Sequence, residues 1–595
     1  MLSAVEASRQ KQSMNMYKFK NSLSFLIAVL ITATTFAQEN RKTKDTINTE
    51  VVNVVKPYTP KISDAFKVKE IPSLDDETTM TKKVIKYNIF SIPVASTFTP
   101  AKGKAAEVDK GEKAKLYDNY ASFGVGSYTS FLGEVYLNHA INRTESVGGY
   151  VSHHSSQGGI EDVLLDDAFS NTQINANYAR KLRDYSWNVD AGFQQQVFNW
   201  YGLPQPQYDQ AFADPMIPQH KFFTFEFGGK IDFDDRLFNN GNMRFRRFAD
   251  DYDSGENHFA MSTNFDIPLN DGDLNSTIKL DYLNGSFNQS YETADKLKYG
   301  NFNVGVSSSY QMKQDDLTLN LGASVFYLND TEAGKNKIYI YPNITATYRL
   351  VNELLIAYGG IEGGLIQNTY HEFAKGNPYV SPTLNILPTD KQYDAYVGLK
   401  GKLSNNMSYN IRGKYYAEND KALFKNNKDM NQTANNNYNK GNSYNVVYDN
   451  VSTLSVFGEI NVDVNRNFTL GIKAEYFSYN TKNEAKLWNL PDFEGSLFMD
   501  IQFDEHWFAG ANLFYIGERF DQSSIEGSLD PSESLTTHTL ESYFDANAHL
   551  GYRINDKWSV YGKANNIANQ DYKRWLNYPV QGIQFIAGTT YKFDF

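Results

Sequence analysis

The last thirteen positions of the chain, 583–595, fall into two lists when read alternately. Ile583, Phe585, Ala587, Thr589, Tyr591, Phe593 and Phe595 share one face; Gln584, Ile586, Gly588, Thr590, Lys592 and Asp594 share the other. Strict alternation over this length is the period of a β-strand with one apolar face and one mostly polar face. An apolar face of about ten residues, bounded by aromatics, suits a tilted strand crossing a bilayer. Such a strand leaves backbone donors and acceptors along both edges, and lipid offers them no partner. The rest of the chain therefore has to supply a closed sheet.

The same alternation recurs from Tyr117 onward. Leu317, Leu319, Leu321, Ala323, Val325 and Tyr327 oppose Thr318, Asn320, Gly322 and Ser324. Tyr393, Ala395, Val397, Leu399 and Leu403 oppose Asp394, Tyr396, Lys400 and Lys402. Phe544, Ala546, Ala548, Leu550, Tyr552 and Ile554 oppose Asp545, Asn547, His549 and Arg553. Charges keep to one face in these runs. Short connections, such as 142–144, 314–316, 351–353, 405–406, 465–467, 504–506 and 555–557, alternate with long ones at 156–169, 199–219, 284–297, 369–390, 418–443, 479–490, 518–540 and 568–581. Short turns on one side and long loops on the other are the layout of a transmembrane antiparallel β-barrel of the bacterial outer membrane. Pairing each short turn with its flanking strands gives about 22 strands, with 20 as the alternative if the pair flanking 234–256 is absent.

Composition narrows the function classes. Aromatics make up 15% of the chain, with 41 Tyr and 40 Phe, against a mean hydropathy of −0.53. A barrel wall combines these two properties, because half of each strand is polar while aromatics form girdles at both interfaces. With 57 Lys+Arg against 69 Asp+Glu, the net charge of −12 argues against nucleic acid as a partner. The absence of cysteine removes disulfides, thiolate metal sites and a cysteine nucleophile.

The beginning of the chain reads differently. Lys18 and Lys20 precede an apolar run at 23–34 and the small residues around Ala37, the pattern of a secretory signal covering 1–37, with Met14 and Met16 as alternative starts. From 38 to 115 the chain carries Pro57, Pro60, Pro72, Pro93 and Pro100 in extended contexts, then a Lys/Glu/Ala/Gly run without apolar period. This reads as an extended, partly disordered periplasmic or lumenal segment. The barrel is then expected over 116–595.

The ending at Phe593 and Phe595 resembles the closing strand of bacterial outer-membrane barrels, where a terminal aromatic marks the chain for insertion. Further likeness lies in Tyr543-Phe544-Asp545-Ala546-Asn547, Gly551-Tyr552-Arg553, Tyr561-Gly562-Lys563-Ala564-Asn565-Asn566-Ile567, Tyr578-Pro579 and Phe585-Ile586-Ala587-Gly588. Together with the strand number, these stretches resemble the barrel of TonB-dependent receptors, in a Tyr-, Asn- and Lys-rich style similar to members from the Bacteroidota. The resemblance implies an outer-membrane location and transport of a solute or peptide, without enzymatic activity or a cofactor. It also implies as partners outer-membrane lipids, the barrel-assembly machinery, and TonB or surface lipoproteins and other outer-membrane proteins. Asp45-Thr46-Ile47 followed by Glu50-Val51-Val52 faintly resembles a TonB box. One departure stands out: 38–115 is too short and too poor in glycine for the family's folded plug. The lumen is then to be filled by 38–115, by infolded loops such as 369–390 and 418–443, or by another protein. The same departure supports an alternative reading, a plugless barrel serving as a subunit of an outer-membrane import, export or protein-assembly complex.

Candidate site residues are few. Trp200, Tyr201, Tyr370, Phe373, Tyr379, Trp575 and Tyr578 sit in or near long loops, where they serve either as ligand or partner contacts or as loop and girdle packing. Asp251, Asp253, Gly255 and Glu256 have the flavour of a Ca²⁺ loop but lack its full ligand spacing, so an acidic surface loop is the favoured reading. His153 and His154 are adjacent on a strand and so point to opposite faces, which disfavours a shared metal. No nucleophile–base constellation is apparent in the sequence.

Overall fold

The computed structural model describes residues 115–595, apart from 206, 235–236, 270–271, 431–436 and 525–534. The signal, the TonB-box-like stretch and nearly all of the 38–115 segment lie outside the described residues. Twenty-two strands form one closed antiparallel sheet. The first strand, Asn119–Gly126, pairs with Ser130–Ala140 on one side and with the last strand, Gln584–Phe593, on the other. Asn119 stands opposite Phe593, and Gly126 opposite Ile586. The alternating terminal stretch is therefore the strand that closes the ring and removes both edges. Phe238–Asp250 and Gly255–Leu269, the pair in doubt around 234–256, are both present.

The wall reverses the polarity rule of a soluble protein. Leu321, Val325 and Tyr327 are exposed, whereas Ser324, Phe326 and Leu328 on the opposite face are buried. Val397 is 70% exposed and Phe585 57%, while Ile586 and Thr590 face inward and are covered. Apolar side chains facing outward around a closed ring form a surface suited to lipid. Charged side chains face the lumen and pair within strands and across neighbouring ones. Arg244 contacts Glu226 at 3.0 Å and Asp190 at 3.5 Å, and Asp394 receives Lys391 and Lys414 at 2.7 and 3.2 Å.

Aromatics mark both ends of the outward face. Tyr185 and Phe193, Phe225 and Phe233, Phe544 and Tyr552, and Phe585 and Phe593 each lie eight positions apart on their strands. Eight steps correspond to about 26 Å along a strand, or roughly 20 Å of height once the strand is tilted. The girdle residues also meet sideways: Tyr185 stacks near Phe233 at 5.8 Å and Trp558 near Tyr591 at 4.6 Å. Among the described residues no helix is long and apolar enough to cross a membrane.

All the short turns expected from the sequence lie at the rim that also holds the first and last strands' free ends. There the Asp118 amide donates to Asp594 at 2.9 Å. The opposite rim carries the long loops, although 127–129, 251–254 and 331–334 are tight turns there. Two expected loops are shorter than read. Met407–Asn426 and Tyr444–Asn465 remain paired up to Asn426 opposite Tyr444, so the loop read as 418–443 is 427–443. Likewise Gly272–Phe287 pairs with Leu297–Gln314 up to Phe287 opposite Leu297, leaving 288–296 rather than 284–297. In both cases the backbone ladder continues past the outer girdle, where the strict apolar–polar alternation is no longer imposed by lipid. The largest buried apolar cluster lies among these outer loops and strand ends, not in the membrane zone.

Candidate functional site

Three of the outer loops start far apart. Loops 200–218, 367–388 and 566–583 follow the fifth, thirteenth and twenty-first strands of the ring, roughly a third of the circumference from one another. Their tyrosines nevertheless touch. Tyr379 stacks on Tyr578 with ring centroids 3.7 Å apart and 20° between planes. Tyr201 meets Tyr578 at 4.8 Å and Tyr379 at 5.6 Å, both edge-on. Loops rooted at thirds of a ring can share one junction only by reaching over the lumen. This junction is the centre of a cap across the outer mouth.

Hydrogen bonds fix the junction. Tyr201 Oη donates to the Pro579 carbonyl at 2.8 Å, and Tyr578 Oη to the Asn442 carbonyl at 2.5 Å. The fourth loop, 427–443, is thereby tied in, and Asn442 Nδ2 returns a bond to the Trp200 carbonyl at 3.0 Å. Trp200 Nε1 donates to the Tyr379 carbonyl at 3.2 Å, while the Trp200 ring lies on His220 at 4.0 Å. Burial pushes the Tyr201, Tyr379 and Tyr578 phenols above the ordinary tyrosine range, so each stays protonated and able to donate. Gly202 has no side chain because the Tyr578 ring occupies that space: a Cβ there would overlap it.

The helix Tyr370–Gly376 forms the second part of the cap. Thr369 starts it, with Oγ1 accepting from the Glu372 amide at 3.1 Å. The amides of Tyr370 and His371 donate to a carboxylate from the wall, Glu256, at 2.6 and 3.4 Å, and Tyr299 Oη adds a bond at 2.9 Å. First-turn amides that would otherwise lack partners are thus satisfied inside the cap. Tyr370 packs among Phe222, Phe248 and Phe287, and its hydroxyl donates to Asp250 at 2.8 Å. Glu372 bonds His371 at 3.1 Å and Arg246 at 3.2 Å. These two contacts, the His371 hydrogen bond first, hold its carboxyl down at about 2.

The structure thus gathers Trp200, Tyr201, Tyr370, Phe373, Tyr379, Trp575 and Tyr578 into one cap. Phe373 and Trp575 meet Phe424 at 5.9 and 5.4 Å. The seven are buried or half-buried, with Tyr370 and Tyr578 1% exposed. The acidic turn disperses its carboxylates: Asp251 accepts from the Lys221 amide at 3.0 Å, Asp253 sits in a positive-φ turn, and Glu256 serves the helix. His153 contacts Thr172 at 2.7 Å, and His154 packs edge-on to Phe169. At the inner rim Phe593 stacks beside Tyr591 and meets Phe595 at 5.7 Å, with His139 against Phe595 at 6.0 Å.

Sequence reasoning passed over Glu256 as a helix partner, Asn442 as a tie between loops, and Arg519, whose side chain reaches back to the last loop. The helix itself carried a signal, since Thr369 and Glu372 have capping-box spacing and Gly376 ends the run.

No protein-family model matches the chain. Solved structures with a similar fold include the FrpB iron transporter from Neisseria meningitidis, at a TM-score of 0.60 and 10% identity over 80% of this chain and 82% of that one. The siderophore receptor PirA from Acinetobacter baumannii gives 0.59 and 13%, over 81% of each chain. The ferric-catecholate import receptor Fiu from E. coli K12 gives 0.58 and 12%, over 81% of this chain and 82% of that one. At these identities the likeness is one of fold: this chain has the architecture of the receptor barrels of the outer membrane.

Proposed function

We propose that this protein is a receptor-like barrel of the outer membrane that takes part in moving a small solute or peptide across it, with passage controlled at the outer mouth by the loop cap. The observation that carries this reading is the Tyr201–Tyr379–Tyr578 junction, in which three loops rooted around the ring close over the lumen. A ring of 22 strands encloses a lumen wide enough to need an obstruction, and a cap with its own apolar core is one. The neighbours named as importers and receptors support transport over catalysis. Outer-membrane lipids are the surroundings that the apolar band fits. Recognition of Phe593 and Phe595 by the assembly machinery, and engagement of TonB or a surface lipoprotein, belong to the same reading.

Single-channel conductance of the purified protein tests it, with and without residues 38–115 and with the cap intact or weakened by Tyr379→Ala and Tyr578→Ala together. Low conductance with the cap intact, and opening when the cap is weakened and 38–115 removed, is the expected result. Wide-open conductance of the full chain with an intact cap would end the gating reading.

A further inference from the structure

A cavity of about 350 Å³ lies between the cap and the outer ends of the wall strands. That volume is within the range of small-molecule sites. Three of its lining residues carry buried polar atoms that the protein leaves unmatched: Arg519 Nε, Trp575 Nε1 and Asn489 Oδ1. Arg519 is 5% exposed. Two of its nitrogens donate to the Arg574 and Lys573 carbonyls, at 2.5 and 2.8 Å, and its guanidinium lies 5.4 Å from the Tyr543 ring centre. Among the described residues no carboxylate stands within ion-pair distance of it. Nearby Asp521 is committed to the amides of Asn426 and Gln522 and to Tyr444 Oη. Arg574 adds a second positive charge on the same side. A buried cation so placed is costly unless an anion joins it.

The cavity also has a negative pole. Glu418 is taken up by Lys421 at 2.6 Å, and Glu372 by Arg246 and His371. Glu494 is held by its backbone in the strand Phe493–Gln502, and its side chain has no hydrogen bond or ion pair among the described residues. Glu494 and Arg519 therefore line one cavity without neutralising each other, and Phe424 and Trp488 supply aromatic wall around it. We propose that this cavity binds a small zwitterion with an apolar or aromatic body, such as a dipeptide, its carboxylate held by Arg519 and the Trp575 indole N–H and its ammonium by Glu494. The proposal names the solute class for the transport reading and rests on that reading for passage, but occupancy of the cavity is a separate property.

The test is titration of the purified full chain in detergent with the dipeptide Phe-Leu, its N-acetyl form and its C-terminal amide, followed by calorimetry and tryptophan fluorescence. Saturable binding of the free dipeptide is expected, with each blocked form weaker by about tenfold, since each loses a charged hydrogen bond. Arg519→Gln should weaken the free dipeptide by a similar factor and abolish discrimination against the amide. Glu494→Gln should abolish discrimination against the acetyl form. Each variant is first checked for heat-modifiable mobility; if one fails to fold, the other decides alone. No binding of the free dipeptide, equal binding of all three forms, or unchanged discrimination in a folded variant would overturn the assignment. Such a failure leaves the conductance of cap variants unaffected, so it is distinguishable from failure of the gating reading.

Discussion

The wall and the cap use the same residues under opposite solvent rules. In the wall, Phe, Tyr and Leu point out to the surroundings and polar side chains line the inside, while the backbone ladder provides the continuity. In the cap, Tyr, Trp and Phe point at one another and exclude water, as in a soluble core. The wall needs lipid to make its surface favourable; the cap buries its own apolar area. The two should therefore fail separately. Damage to the cap should spare the assembled barrel, whereas damage to the lipid face should lower the stability of the whole ring.

The largest effect is expected from Tyr578→Ala. Removing a ring that is 1% exposed and stacked on Tyr379 should cost the cap about 3–5 kcal/mol. Limited proteolysis should then cut loops 200–218, 367–388 and 566–583 while heat-modifiable mobility stays normal. Loss of the folded barrel would show that cap and wall are not separable.

Next is Val397→Lys, which places a charge on the lipid face of Thr389–Ser404. A cost of about 2–4 kcal/mol is expected for a cation near the bilayer middle. It should appear as reduced unfolding stability of the barrel in vesicles, with loop proteolysis unchanged until the barrel opens. Insensitivity of barrel stability to this charge would contradict a lipid-facing Val397.

A smaller effect should follow from Gly202→Ala. The added methyl overlaps the Tyr578 ring, so about 1–3 kcal/mol of overpacking is expected in the cap alone. Pairing it with Tyr578→Ala should relieve most of the clash. Simple addition of the two costs would place the glycine's role elsewhere.

The smallest effect is acid-dependent. Glu372 is held at about 2, below its ordinary 4.5, so its stabilising contribution is complete above the ordinary value and fades as pH falls toward about 2. The carboxylate is half-exposed, which keeps the contribution modest. Hydrogen-exchange protection of the 370–376 amides, corrected for intrinsic rates, should fall over that window in the wild type and less in Glu372→Gln. An identical fall in both would remove Glu372 from the effect.

Much of the wall was legible because a two-residue period survives whichever face points outward. Ile583 to Phe595 and Leu317 to Tyr327 show their faces without any knowledge of what surrounds them. Strand extensions above the membrane were not legible. Glu418-Asn419-Asp420-Lys421 reads as a polar loop, yet the ladder resumes beyond it after a shift in register, with Asp420 at positive φ and Glu418 bonded to Lys421 in the interior. The seven cap aromatics were visible as Trp, Tyr and Phe in long loops. Their convergence was not, because Tyr201 and Tyr578 lie far apart along the chain and meet only once the ring has closed. Arg519 was missed for the same reason: its partners are carbonyls of the last loop, which carry no side-chain signature.

Closure of the outer mouth can be read directly, because the chain contains no cysteine of its own. Lys279 lies on the polar, lumenal face of Gly272–Phe287, beside outward-facing Ile278. Lys279→Cys should be labelled in intact cells with a polymer-linked maleimide too bulky for ordinary porins, with the cap intact and with Tyr379→Ala and Tyr578→Ala combined. Protection in the intact cap and labelling in the weakened cap is the predicted outcome. Equally rapid labelling of both would contradict closure of the lumen by the three-loop junction.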